Sequence, residues 1–365
     1  VEPFATSRGV ERRRRLVVVE ACGNGAVGYG EASPLSTPVY TEETVESIWH
    51  ALSAFLVPLA FENPDPEAFA RAAAAFRRNN MAKAALEGAL WDLCAKRRGA
   101  SLSRLLGGRR EKVESGIAIG VQGSVDALVE RVGRALAAGY RRIKIKIRPG
   151  WDLEPVAAVR RSFGDIPLMA DANSAYSPLD ADRIKRLDSF GLLMIEQPYD
   201  PDNLIDHARL QATLSTPVCL DESLVSFELT RQALELGSCR AVNVKIGRVG
   251  GLFECLRIHR LCEERGVPLW CGGMLESGIG RAHNLALASL PGFALPPDLS
   301  ASDRYFDEDV VDPPVTLGPG GWIEVPQAPG IGFAVHPARL ARATLRRLAF
   351  SPQAPGPKKE TDASV

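Results

Sequence analysis

The sequence has no excess charge of either sign, no cysteine pairs at metal or redox spacing, and no long apolar run. Each lack removes a class of function. Forty-four basic and forty-four acidic residues cancel, so no global field draws the chain to nucleic acid or to an anionic membrane. A membrane-spanning helix needs about 18 consecutive apolar residues, and no such run occurs. No segment reads as a signal peptide. The seven cysteines (Cys22, Cys94, Cys219, Cys239, Cys255, Cys262, Cys271) are odd in number and include no C-x-x-C pair. That argues against a disulfide framework or a zinc ribbon and for a reducing, cytoplasmic setting.

What is present points to two units. With 365 residues, 45% of them apolar, the chain is long enough for a barrel plus an accessory domain. Leu16–Glu20 and Ala26–Glu31 alternate as strands around Gly23-Asn24-Gly25, a strong hairpin signal. The same stretch, Gly23 to Gly28, satisfies G-x-G-x-x-G. A dinucleotide site needs a helix directly after those glycines, and Tyr-Gly-Glu-Ala-Ser-Pro cannot supply it. Helical periodicity follows over Thr41–Leu59, Pro66–Arg78 and Ala82–Arg97, so residues 1–110 read as an α+β unit. The basic run Arg12–Arg15 reads as a solvated strand start.

From Val113 the texture changes to short apolar strands alternating with amphipathic helices. The strands are Ile117–Gly120, Arg142–Ile147, Leu168–Asn173, Leu192–Gln197, Val218–Ser223, Val242–Ile246 and Leu269–Gly272. Helices are expected over Ser124–Ala138, Glu154–Phe163, Leu179–Phe190, Phe227–Leu236 and Leu252–Arg265. So many β–α units in a row favour a closed (β/α) barrel over residues 111–316. Residues 317–350 mix Gly/Pro turns with an arginine-rich helix, and 351–365 read as a disordered tail.

The chemistry lies at the strand ends. In Arg142-Ile-Lys-Ile-Lys-Ile147 the isoleucines share one face and Lys144 and Lys146 the other. If the isoleucines pack under helices, the lysines point into the barrel, where they need anions or a depressed pKa. The next three strands end in Asp171, Glu196 and Asp221, each 25 residues beyond the last, starting from Lys146. A further 24 residues reach Lys245. Strand ends of such a barrel ring one mouth, so five charged groups converge there. Three carboxylates without His or Cys call for a hard cation, and Mg²⁺ fits best.

These motifs resemble the enolase superfamily: the K-x-K strand, the D-A-N, I-E-Q-P and D-E-S strand ends, and the N-x-K-x-G-R strand. Trp270 to Asn284 and Asp298 to Asp303 narrow the resemblance to the o-succinylbenzoate synthase and N-succinylamino acid racemase family of the muconate-lactonising subgroup. The similarity runs from about Pro3 to Phe350. It implies a modified TIM barrel with an α+β capping domain built from the N-terminal region and the C-terminal segment. It implies Mg²⁺ on Asp171, Glu196 and Asp221, with Mn²⁺ able to substitute, and a small-molecule carboxylate as substrate. Lys146 would be the base that forms an enediolate, the pairing of Lys with Mg²⁺ being the superfamily's known pattern. Lys245 would lie on the other face. Lys144, Asn173, Glu222, Arg248, Tyr40, Met274 and Ser277 would orient the substrate or tune the lysines. Phe4–Ser7 and Pro38–Tyr40 match loops that close over such sites, with Tyr40 against a succinyl arm. Ala118 stands at a pocket position where some relatives carry Ser. The implied activity is dehydration to 2-succinylbenzoate or racemisation of N-succinylamino acids, in a homo-oligomer.

Overall fold

The computed structural model describes residues 4–6, 9–11, 14–352 and 354–362, with side chains over residues 14–352. The expected hairpin forms from Val17–Gly23 and Ala26–Ala32, turning through Asn24 (φ 53°) and Gly25 (φ 76°). Asn and Gly tolerate that left-handed pair, as a two-residue hairpin turn requires. Gly28 lies within the Ala26–Ala32 strand rather than at the start of a helix. Gly28 and Gly30 have a packing role: a Cβ at either would run into the carbonyl of Ala89 or Ala85 on the Asn80–Arg97 helix. The hairpin therefore lies directly on that helix. Phe4–Thr6 pairs with Gly9–Glu11. Ser7, Arg12 and Arg13 lie outside the described residues, as do the side chains of Phe4, Ala5 and Thr6.

The helix expected over Thr41–Leu59 starts at a Thr44 cap and runs to Glu62 in three parts: Val45–Ala51, a widened turn Leu52–Leu56, and Val57–Glu62. The widening sits directly before Pro58, which has no N–H to continue the ordinary helical pattern. Ile48, Leu52, Leu56, Phe69, Met81 and Leu86 make this unit's own buried core.

Seven parallel strands follow in sequential order: Gly116–Ile119, Arg142–Lys146, Leu168–Asp171, Ile195–Glu196, Val218–Leu220, Ala241–Val244 and Leu269–Cys271. Residues 295–298 bridge the two edges of this curved sheet. Leu295 N and Asp298 N donate to the carbonyls of Leu269 and Cys271, and Gly116 N donates to Pro297 O. Pro296 and Pro297 cannot donate, so a regular eighth ladder does not form there. Ile143, Ile145 and Ile147 pack outward with Leu128, Val132, Val156 and Val159, while Met169, Met194, Cys219, Ala241 and Trp270 fill the barrel floor.

Most observed strands are shorter than their apolar runs: Arg142–Lys146, Leu168–Asp171, Val218–Leu220 and Leu269–Cys271 leave the ladder before the run ends, and Ile195–Glu196 joins it three residues late. Leu179–Phe190 is broken into two 3-10 turns around Ala181–Lys185. Helices Leu204–Gln211 and Gly278–Ala288 add to those expected. The C-terminal segment reaches back along the molecule: Trp322–Glu324 pairs with Lys112–Glu114, and Arg347 Nη2 lies 2.9 Å from Glu20 Oε2. The tail differs from the expectation of disorder, since Ala354–Asp362 pairs antiparallel with Arg346–Ser351. Edge pairing satisfies backbone groups without apolar burial, which a composition argument does not register. Gln353 and residues 363–365 of that tail lie outside the described residues.

Candidate active site

The Arg142–Lys146 strand sets the geometry. Its isoleucines are wholly buried outside the barrel, and Lys144 and Lys146, 3% and 6% exposed, face inward. Two lysines can be buried there because carboxylates surround them. Lys144 Nζ lies 3.2 Å from Asp171 Oδ2, 3.0 Å from Glu196 Oε2 and 2.5 Å from Asp298 Oδ2. Lys146 Nζ donates to Asp171 Oδ2 and Asn173 Oδ1, both at 2.6 Å.

The electrostatics follow from burial set against these pairs. Burial alone pulls Lys144 toward the neutral amine, but Asp298, Glu196 and Asp171 outweigh it and raise its pKa. Burial likewise opposes charge on Asp171, yet Lys146 and Lys144 hold that carboxyl below the usual range. Glu196 moves the other way, up to about 7, through burial and then the Asp171 charge. Two adjacent acids ionise in sequence, because the first charge opposes the second.

On the far side, Lys245 follows the Ala241–Val244 strand, with three strands lying between it and the Lys146 strand. Its Nζ lies 2.8 Å from Asp221 Oδ2 and donates to the Tyr40 hydroxyl at 2.7 Å. Tyr40 in turn donates to Asp221 Oδ1 at 2.8 Å, and Arg248 Nη1 reaches the same oxygen. Burial again favours the neutral lysine, but Tyr40, Glu196 and Glu222 outweigh it and raise the Lys245 pKa.

A cavity of about 340 Å³ opens above these groups, lined among others by Tyr40, Lys144, Lys146, Asn173, Lys245 and Met274. Asp171, Glu196, Asp221, Glu222 and Arg248 lie buried around it. Glu222 Oε1 accepts from Asn173 Nδ2 at 3.0 Å. Ser277 is outside the lining; it caps the Gly278–Ala288 helix, and its N and Oγ both donate to Glu31. Tyr40 binds into the charged cluster rather than standing free on its loop.

Three further residues lie inside the quoted motifs but were given no role from sequence. Asp298 holds Lys144 and also lies 2.5 Å from Arg142 Nη2. It follows two prolines and has no strand pattern to mark it. Asn243 Nδ2 donates to Glu196 Oε1 at 2.7 Å; it lies one alternation before Lys245, which was a readable signal. Gln197 Oε1 accepts from the backbone N of Asp221 (3.0 Å) and Ser223 (3.2 Å), tying two strand ends together. Gln197 (φ 39°), Asn173 (φ 43°) and Leu275 (φ 59°) all adopt left-handed backbone beside the cavity. Such strain persists where surrounding bonds over-determine the chain.

The family described as "Enolase C-terminal domain-like" matches residues 127–339, and "Mandelate racemase / muconate lactonizing enzyme, N-terminal domain" matches residues 1–107. The chain belongs to the enolase superfamily. It is 55% identical over 345 residues to an o-succinylbenzoate synthase of Geobacillus stearothermophilus, covering 94% of this chain and 92% of that one. It is 48% identical to an N-succinylamino acid racemase of Thermus thermophilus, covering 94% and 93%. A solved structure of an enolase-superfamily member from Listeria innocua superposes with TM-score 0.91 at 40% identity, covering 99% and 94%.

Enzymes of this branch of the enolase superfamily generally depend on a divalent metal. The donor chemistry here fits a hard cation: Asp171, Glu196 and Asp221 are all-oxygen ligands, each at most 1% exposed, from three adjacent strands. Glu222 Oε2 and Asn243 Oδ1 are buried nearby without a hydrogen-bond partner. Among the described residues, no three acidic, His or Cys side chains converge on one point. Their oxygens are instead engaged by Lys144, Lys146, Lys245 and Arg248.

Proposed function

We propose that this protein is an o-succinylbenzoate synthase. It would dehydrate 2-succinyl-6-hydroxy-2,4-cyclohexadiene-1-carboxylate to 2-succinylbenzoate, a step of menaquinone biosynthesis. The observation that carries this reading is one cavity faced by Lys146 and Lys245 from separate strands, above buried acids. The relatives' names support the substrate class. Asp171, Glu196 and Asp221 would hold Mg²⁺, with Mn²⁺ able to replace it. When bound, the metal supplies Lewis-acid stabilisation of negative charge on the substrate carboxylate. Lys146 Nζ takes the proton α to the ring carboxylate, then returns it to the departing hydroxide, which leaves as water. Lys245 stays cationic on the other face. Asn173 orients Lys146 through their 2.6 Å contact.

A second reading has its own support. Two lysines on different strands suit racemisation of N-succinylamino acids, in which one removes the α-proton and the other returns it to the opposite face. The 48% identity to a racemase favours keeping it. One protein can perform both reactions with the same residues. The deciding experiment incubates purified protein and Mg²⁺ with each substrate separately. Absorbance follows dehydration and solvent deuterium entry follows racemisation. Turnover of neither, or full turnover in a metal chelator, would sink the proposal.

We propose further that 1–110 and 317–350 together form the capping domain around a 111–316 barrel. The matched spans 1–107 and 127–339 support the first boundary. A cytoplasmic setting is supported by seven cysteines that are all free. Among the described residues no helix is long and apolar enough to cross a membrane. Self-association is supported by half-exposed Phe55 and Phe61 on the capping helices.

A further inference from the structure

Five cationic side chains line the cavity: Lys144, Lys146, Lys245, Arg281 and Arg304. Four of them face acids. Lys144 and Lys146 share Asp171, Lys245 has Asp221, and Arg281 Nη1 lies 3.8 Å from Asp309 Oδ2. Arg304 has no such partner among the described residues. Its contacts are neutral: Nη1 donates to Ser300 Oγ at 2.9 Å, Nη2 donates to the carbonyl of Ala118, and the guanidinium carbon lies 5.1 Å from the Tyr305 ring centroid. Those two hydrogen bonds use part of a five-donor fork, leaving N–H groups for a ligand.

The position of this uncompensated charge is informative. Ala118 pairs in register with Lys144 across neighbouring strands, so Arg304 sits one strand away from the lysine–acid cluster, at the same mouth. Ala118 itself offers a methyl group where a hydroxyl would donate. An anionic ligand group entering this side of the cavity thus meets a cation that, among the described residues, is not already paired with an acid. Without it, a carboxylate leaving water there would find no unpaired opposite charge.

We infer that Arg304 selects substrates that carry a second, distal carboxylate. It would hold that group while the reacting carboxylate lies over the lysine and acid cluster. This rests on the proposed function, and it assigns dianion selectivity to one residue outside the proton-transfer and metal-ligand set. Arg304 would act on binding, since its charge does not change as the proton moves.

The test is calorimetric titration of the Mg²⁺-loaded wild type, R304Q and R304K with two ligands. One is 2-succinylbenzoate; the other is 2-butyrylbenzoate, which carries a methyl group in place of the distal carboxylate. Charge-assisted hydrogen bonds of this kind correspond to a preference of about 10- to 100-fold. The wild type should prefer the dianion by that factor, R304Q should lose the preference, and R304K should retain part of it. In kinetics R304Q should raise KM for the succinyl substrate far more than it lowers kcat. Arg304 also ties residues 300–305 to the Gly116–Ile119 strand, so equal weakening of both ligands in R304Q would mark a purely structural role and overturn the inference. Equal wild-type affinity for the two ligands would overturn it as well. Wild-type binding of neither ligand would overturn the synthase reading and this inference with it. Wild-type turnover without dianion preference would overturn the inference alone.

Discussion

Lys146 and Lys245 are the same residue type facing one cavity, yet their surroundings differ in kind. Lys146 is held wholly by the barrel, through Asp171 and Asn173 on the neighbouring strand end. Lys245 is held jointly, by Asp221 from the barrel and by Tyr40 from the N-terminal unit, whose ring lies 4.5 Å from its ammonium. Arg248 competes for the same Asp221 carboxylate. One lysine is therefore set by strand geometry alone. The other depends on closure of a second unit over the mouth, and it is the side a loop could tune without disturbing the rest.

The largest effect that would break this comparison is at Lys146. K146A should lower dehydration by about 10³-fold or more, as loss of a positioned general base does, read from the absorbance change. Substantial dehydration by K146A would remove Lys146 as the base. K245A should abolish net racemisation yet leave α-proton exchange on the one enantiomer that Lys146 addresses, measured by NMR in deuterium oxide. Exchange of both enantiomers would show that the two lysines do not divide the faces.

D221N should come next. It removes a charge shared by Lys245, Arg248 and Tyr40, and should cost about 10- to 100-fold in rate with a matching rise in the metal concentration needed. An unaltered metal titration would detach Asp221 from the metal. Y40F deletes only the hydroxyl between Lys245 and Asp221. A loss of about tenfold, one or so kcal/mol, is expected in racemisation, with dehydration less affected. Equal losses in both reactions would erase the contrast between the two sides.

The smallest effect on turnover concerns the seam between the units, where the change is one of stability. Glu31, on the Ala26–Ala32 strand, accepts from Ser277 N at 3.0 Å and Gly280 N at 3.1 Å, holding the start of the Gly278–Ala288 helix. Burial is the main reason its pKa is raised to about 7. Between its ordinary value and 7 the folded state keeps a proton that the unfolded chain has released. Its stabilising contribution is therefore full at low pH and lost as pH rises through 7. Thermal unfolding from pH 4 to 8 should show that loss, about 3 kcal/mol, and E31Q should flatten it. An unchanged slope in E31Q would assign the pH dependence elsewhere.

Much of the site could be read before the fold was known, for a reason visible in the residues. Strand alternation puts Lys144 and Lys146 on one face whatever surrounds them, and the spacing of 25 puts Asp171, Glu196 and Asp221 at successive strand ends. Local periodicity carries that information. Asp298 could not be read this way, because Pro296 and Pro297 interrupt any pattern and its role exists only where residues 295–298 bridge the sheet edges. Tyr40 was legible as a loop residue near the substrate. Its bond to Asp221 joins positions 181 residues apart, and no local rule links them. The tail Ala354–Asp362 pairs antiparallel with Arg346–Ser351, a ladder that composition does not encode.

The sequence by itself determined the repeating β–α units, the inward lysines, the order of the acids around the mouth and the left-handed turn at Asn24-Gly25. These follow from periodicity and backbone preference within a few residues. Only the tertiary structure decided which cation meets which acid. It placed Asp298 under Lys144, brought Tyr40 onto Lys245, and left Arg304 among neutral partners. Pairing of charges depends on distances across strands and between units, and those distances are a property of the packed chain rather than of any segment.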